Sequence, residues 1–167
     1  MDLEIKKDLT SNWFKMLQQS ICHTICNLEK NKISFKSKIW QRNEKKDEGG
    51  GEFKILENGK VFEKVGVNFS KVYGKFSKNL QKKIPGANYD PRFWASGISV
   101  VMHMKNPHIP AMHFNTRYIC TTFDWFGGGM DVTPSRKDDN EKKEFHKILR
   151  NMCNRHDPKY YSKYKKW

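Results

Sequence analysis

From residue 3 to residue 30, Leu9, Trp13, Leu17, Ile21, Ile25 and Leu28 recur every three or four positions. That spacing predicts an amphipathic helix whose stripe covers a sheet. The period then drops towards two. Ile39 to Arg42 reads as a short extended run and Lys45 to Gly51 (KKDEGGG) as a charged, glycine-ended loop. Phe53 to Glu57 and Lys60 to Lys64 flank Asn58-Gly59, the strongest short hairpin signal a sequence carries. Val65 to Tyr73 continues as a further strand, and residues 74 to 92 are basic and turn-rich, a surface connection within one domain. Helical spacing returns over Asp138 to Arg155, with Phe145, Ile148, Leu149, Met152 and Cys153 on one face and His146 at its edge. Asp138, Asp139 and Glu141 fall in the first turns, where the helix dipole favours acids.

Between these segments, residues 93 to 134 break the usual pattern. Gly97 to Met104 is β-rich, Asn106 to Pro110 forms a Pro-containing connection, and His113 to Phe123 is extended again. Side chains of a strand alternate faces. Ser99 and His103 therefore share one face of the first strand, with Val101 between them, and His113, Asn115 and Arg117 share one face of the second. Phe114, Tyr118 and Cys120 occupy the opposite face. If the two strands pair, a small area holds two histidines, an amide, a guanidinium and a hydroxyl. Burying these against hydrocarbon costs several kcal/mol unless each finds a partner, so the face meets water, a polar cavity or a ligand. A merely solvated face would carry lysine in this chain, and this one has none. Trp125-Phe126 then leads into Gly127, Gly128 and Gly129, read as a glycine turn, followed by Asp131. Three consecutive glycines mark positive φ or close approach to the main chain.

Composition narrows the picture. Hydrophobic content is 37% and the formal net charge is +14, carried by 26 Lys and only 6 Arg. Base reading and phosphate clamping favour the rigid fork of Arg, and the aromatics form no stacking motif, so a nucleic-acid module is disfavoured. A polyanionic small molecule would still feel the field. No apolar run approaches the roughly 20 residues of a membrane span, and MDLEIKKDL lacks the apolar core of a signal peptide. Cys22, Cys26, Cys120 and Cys153 are few and irregularly spaced, which describes reduced thiols of a cytoplasmic protein. Cys22-His23 and Cys26 lack the second pair of a zinc site and read better as buried helical cysteines.

The words WASGISVVMH, NPHIPAMHFNTR and WFGGGMDVTP closely resemble the oxygen-dependent coproporphyrinogen-III oxidases. Trp40, Arg42, Gly49-Gly50-Gly51 and FEKVGVNFSKVYG resemble that family's amino-terminal half. The likeness covers nearly all 167 residues in the family's order.

The resemblance implies an α+β fold, a curved antiparallel β-sheet flanked by α-helices. It implies oxidative decarboxylation of two propionates of coproporphyrinogen III to vinyl groups, giving protoporphyrinogen IX in haem biosynthesis. Molecular oxygen is the co-substrate, and no flavin or nicotinamide is expected. Position by position, His113 matches the general acid, Asn115, Thr116 and Arg117 match substrate-binding residues, and Ser99 matches another substrate contact. Arg117 suits a bidentate propionate contact. Asp131 suits pyrrole N–H groups, since a carboxylate only accepts. His103 and His146 match divalent-metal ligands of bacterial members, which leaves a metal site one ligand short. The family is homodimeric. Its CxxYFYxxHRxExRG-like signature and dimer-forming region have no counterpart before Trp167, so the chain reads as a truncated or split member, impaired in catalysis and prone to aggregate through an exposed sheet edge. The rival expectation is a non-catalytic tetrapyrrole- or metal-binding remnant.

Overall fold

The computed structural model describes residues 1–30 and 33–166. They form two compact units, Met1–Thr133 and Pro134–Trp167.

The first unit is an α+β layer. A long helix, α1 (Leu3–Glu29), precedes six strands: β1 (Lys36–Gln41), β2 (Gly49–Glu57), β3 (Phe62–Lys75), β4 (Arg92–Met104), β5 (Ala111–Cys120) and β6 (Asp124–Thr133). A one-turn helix, α2 (Lys78–Gln81), interrupts the basic connection between β3 and β4. The strands lie in sequence order in one sheet, each antiparallel to the next. A hairpin forms at Asn58-Gly59, with Asn58 at φ 59°, but its connection runs over residues 58 to 61 instead of the two residues expected.

Alternation decides which face is dry. Leu56 of β2, Val65, Val67 and Phe69 of β3, Ile98 and Val100 of β4, and Tyr118 and Cys120 of β5 are all buried. The registers put them on one face, because Leu56 lies opposite Val65, Val67 opposite Val100 and Phe69 opposite Ile98. Helix α1 closes this face with Phe14, Cys22 and Ile25. Phe14 is fully buried, and removing such a side chain from water is worth about 2–3 kcal/mol.

The helix is rotated from the stripe the spacing predicts. Its buried positions are Ser11, Phe14, Gln18, Cys22, Ile25 and Glu29. Leu17 and Ile21 pack at the margin, while Leu9, Trp13 and Leu28 are each more than half exposed, at 56%, 51% and 53%. Two polar anchors set the rotation. The Gln18 amide donates to the carbonyls of Glu52 and Val67, both at 3.0 Å. The Glu29 carboxylate accepts from the backbone N–H groups of Lys60 (2.6 Å), Val61 (3.2 Å) and Phe62 (2.7 Å), tying the helix end to the β2–β3 turn. Burial raises the Glu29 pKa, and the three N–H donors outweigh that and hold it below the usual carboxylate range.

Other expectations shift. Gly49 to Gly51 belong to β2 and not to the loop, Lys60 and Val61 belong to the turn, and residues 62 to 75 form one continuous strand. The extended run from His113 ends at Cys120. The three later glycines form no turn: Gly127, Gly128 and Gly129 lie within β6, and none has positive φ. Pairing with β5 overrides the weak strand preference of glycine. Burial pushes the Cys22 thiol up to about 11, which suits a core cysteine better than a metal ligand.

The second unit contains α3 (Asp139–Asn154) and α4 (Pro158–Lys165), the latter not anticipated from the spacing. Asp138 and Asp157 cap them by accepting backbone N–H groups of the first turns. On α3, Phe145, Leu149 and Cys153 are half-buried, whereas Ile148 and Met152 are exposed. No described helix is long and apolar enough to cross a membrane.

Candidate functional site

The face of the sheet turned away from α1 carries the polar constellation. The registers arrange it in transverse rows, spaced about 7 Å along the strands. One row runs Ile55, Gly66, Val101, His113, Asp131; the next runs Phe53, Asn68, Ser99, Asn115, Gly129. The third runs Gly51, Ser70, Gly97, Arg117, Gly127, with Trp40 of β1 opposite Gly51. The structure thus brings Ser99, His113, Asn115, Arg117 and Asp131 onto one face of β4–β6.

Two contacts order these groups. His113 Nδ1 lies 2.9 Å from Asp131 Oδ1. An ionised carboxylate accepts only, so this bond puts the proton on Nδ1 and leaves Nε2 to meet a ligand. The two side chains are 41% and 65% exposed, so the pair is open to an incoming molecule and also to water. The second contact runs from Arg117 Nη2 to the amide oxygen of Asn115. It steadies the guanidinium over the face, engages the amide oxygen and leaves the amide NH2 to donate elsewhere.

Thr116 is not gathered with its neighbours. Period two turns its side chain to the opposite face, beside Ile98 and Gly128, so only Asn115 and Arg117 of that triplet present side chains to the constellation. His103 shares the open face, is exposed, and stands opposite Lys64, whose ammonium pairs with Glu57. His146 belongs to the second unit, where its Nδ1 is 3.1 Å from the Tyr161 hydroxyl and Arg150 lies 4.4 Å over the Tyr161 ring. Among the described residues no group of three or more His, Cys, Asp or Glu is arranged to hold a metal ion. The described residues do not fit such an ion.

Residues absent from the sequence-based candidate set also line this face. A Cβ at Gly66 or Gly129 would meet nothing within 4 Å, and one at Gly127 would meet only Trp125 Nε1 at 4.0 Å. Glycine within a strand costs stability and usually marks close approach to the backbone. No protein atom makes that approach at Gly66 or Gly129, so both leave bare main chain for a flat ligand. Asn68, between Phe53 and Ser99, adds a third amide-or-hydroxyl side chain to the middle row. The signal was present as the strict alternation of Val65, Val67 and Phe69 with Gly66, Asn68 and Ser70. A cavity of about 720 Å³ lies at the β1–β2 end, lined by Trp40, Asp47, Gly51, Lys71 and Tyr73 among others, but not by His113 or Arg117.

Comparison with known proteins bears on this face. The family model described as Coproporphyrinogen III oxidase matches residues 9–167. The oxygen-dependent coproporphyrinogen-III oxidase of Rickettsia akari (strain Hartford) is 46% identical over 168 residues, an alignment spanning 96% of this chain and 59% of the relative. The protein of the same name from Rickettsia rickettsii (strain Sheila Smith) is 45% identical over 174 residues, spanning 99% and 61%. That of Rickettsia bellii (strain RML369-C) is 44% identical over 164 residues, spanning 96% and 59%. The chain spans about three fifths of the length of these curated relatives.

Proposed function

The chain belongs to the coproporphyrinogen III oxidase family, and from that premise we propose that the open face of β4–β6 takes coproporphyrinogen III for oxygen-dependent oxidative decarboxylation. Two propionates become vinyl groups, carbon dioxide leaves, and protoporphyrinogen IX is the product, with molecular oxygen consumed as co-substrate. The observation that carries this reading is the convergence of the His113–Asp131 pair with Asn115 and Arg117 on one lysine-free face of three strands.

The chemistry of the groups supports it. Arg117 pairs with a propionate carboxylate, since its planar fork matches two oxygens. Asn115 and Ser99 flank it and fix the orientation of the ring. His113 handles the proton through Nε2, and Asp131 holds the imidazole in the required tautomer and steadies its charge when it is protonated. The second carboxylate oxygen of Asp131 is available to accept from pyrrole N–H groups of the ligand.

The test is to supply the purified chain with coproporphyrinogen III in air and under nitrogen, then oxidise the mixture and measure protoporphyrin fluorescence. Product is expected only in air. Replacing His113 with Asn is expected to lower turnover by about 100-fold. Arg117→Ala is expected to act mainly through substrate affinity, because it removes a carboxylate contact and no proton carrier. Absence of both product and coproporphyrin III binding would overturn the assignment. A second reading, retention of the tetrapyrrole without turnover, is favoured by the exposure of His113 and Asp131, since reactive intermediates require exclusion of water. Tight binding of coproporphyrin III with no product in air would select it.

A further inference from the structure

Trp40 and the glycines of β2 act together on a residue two strands away. Trp40 on β1 lies directly opposite Gly51 on β2. Because Gly51 has no side chain, the indole can lie across β2: a Cβ at Gly51 would sit 2.9 Å from Trp40 Cζ2. The indole reaches β3, where Trp40 Nε1 donates to Asn68 Oδ1 at 3.1 Å. An indole N–H is a donor only, so this bond fixes which end of the amide is oxygen. The NH2 of Asn68 is then held away from Trp40, with Ser99 directly across on β4.

Asn115, at the other end of the same row, is treated alike. Its amide oxygen takes the Arg117 guanidinium, leaving its NH2 as the available group. Asn68, Ser99 and Asn115 are consecutive in register across β3, β4 and β5. With both amide oxygens occupied, the row offers two NH2 groups and a hydroxyl, all able to donate. Neighbouring strands are about 4.8 Å apart, so a carboxylate lying between Asn68 and Ser99 is within reach of both. The bare backbone of Gly66 and Gly129 on either side leaves the approach clear.

We propose that Asn68, oriented by Trp40, is a carboxylate-binding residue that together with Ser99 holds a second propionate of the ligand, across the sheet from the one at Arg117. The inference rests on the tetrapyrrole reading of the face. In that setting Asn68 is a binding residue, and Trp40 is a positioning residue acting through it.

The experiment measures binding of coproporphyrin III, the unreactive oxidised tetracarboxylate, to the full chain by fluorescence, with a thermal melt of every variant alongside. Asn68→Asp keeps an oxygen for the indole but places a negative charge where the NH2 stood, and is expected to weaken binding by about tenfold or more with little change in melting. Asn68→Ala is the second variant and is expected to weaken binding to a similar extent. Trp40→Phe is expected to weaken binding in the wild-type background but to add nothing when combined with Asn68→Ala, since Trp40 acts only through the amide. Wild-type affinity in both Asn68 variants would overturn the inference while leaving the site reading intact. Additive losses from Trp40→Phe and Asn68→Ala would overturn the positioning role of the indole. No binding by the unaltered chain would instead remove the tetrapyrrole reading itself.

Discussion

The two faces of the sheet are built from the same strands by opposite rules. On the α1 side, successive outward positions of β3 are Val65, Val67 and Phe69, and all three are buried. On the other side the interleaved positions are Gly66, Asn68 and Ser70, none of them large or apolar. The closed face gains free energy from removing hydrocarbon from water. Along β3 the open face gains little from its own residues, and two of its glycines, Gly66 and Gly129, carry a backbone-entropy cost that no protein contact explains. A strand surface that costs stability without compensation is organised for something outside the chain. The difference between the faces therefore separates folding from function more cleanly than either face alone.

Breaking the closed face should have the largest effect. Phe14→Ala empties the centre of the α1 contact and is expected to destabilise by about 3–5 kcal/mol, measured as a shift of the urea midpoint with an unchanged slope. A loss below about 1 kcal/mol would mean that α1 is not held as described.

Glu29→Gln comes next, because it replaces a buried carboxylate that accepts three backbone N–H groups. An expected cost of about 2 kcal/mol at neutral pH follows from losing charge-assisted bonds. The folded-state pKa of Glu29 lies below its ordinary value, so its stabilisation is complete above the unfolded carboxylate pKa. It is lost as pH falls through the folded value. Urea melts taken from pH 7 downwards should therefore bring the unaltered chain and Glu29→Gln together in acid. A gap that stays constant with pH would contradict the charged role of Glu29.

The smallest change in stability, and the sharpest contrast, is expected at the open glycines. Gly66→Ala and Gly129→Ala meet no protein atom and should leave stability unchanged or raise it by about 0.5–1 kcal/mol. Both should weaken coproporphyrin III binding, so that stability and affinity move in opposite directions. Gly97→Ala is the control from the same face, since its Cβ would lie 2.4 Å from the Thr116 carbonyl oxygen and should destabilise. Unchanged affinity at both Gly66 and Gly129 would remove the argument that their bare backbone serves a ligand.

Much of this was legible in the residues, for reasons that vary by element. The Asn58-Gly59 hairpin could be read because two adjacent residues carry the turn. The grouping of Ser99, His113, Asn115 and Arg117 could be read because strand alternation needs only counting. The rotation of α1 could not, because Leu9 and Trp13 look as suitable for burial as Phe14. The choice was made by Gln18 and Glu29, polar residues whose partners lie on distant strands. Gly127 to Gly129 look like a turn in sequence because their strand character comes from pairing with β5 and not from the residues themselves. Thr116 shows the limit of word matching, since three consecutive letters of one motif fall on two sides of a sheet. Asn68 was overlooked although it sits in plain alternation, because its importance depends on an indole reaching over Gly51.

The strict sequence order of the six strands has a kinetic corollary. Every ladder joins a strand to its immediate predecessor, so the sheet can grow by adding one neighbour at a time with modest loop closure. Phe14, Val65, Val67 and Val100 all precede β5 and β6 in the chain, whereas His113 and Asp131 sit in the β5–β6 hairpin, which leaves the ribosome after them. During synthesis the α1–β4 part of the layer is available before the chemical pair has been made, and the β5–β6 hairpin docks onto a template that is already in place.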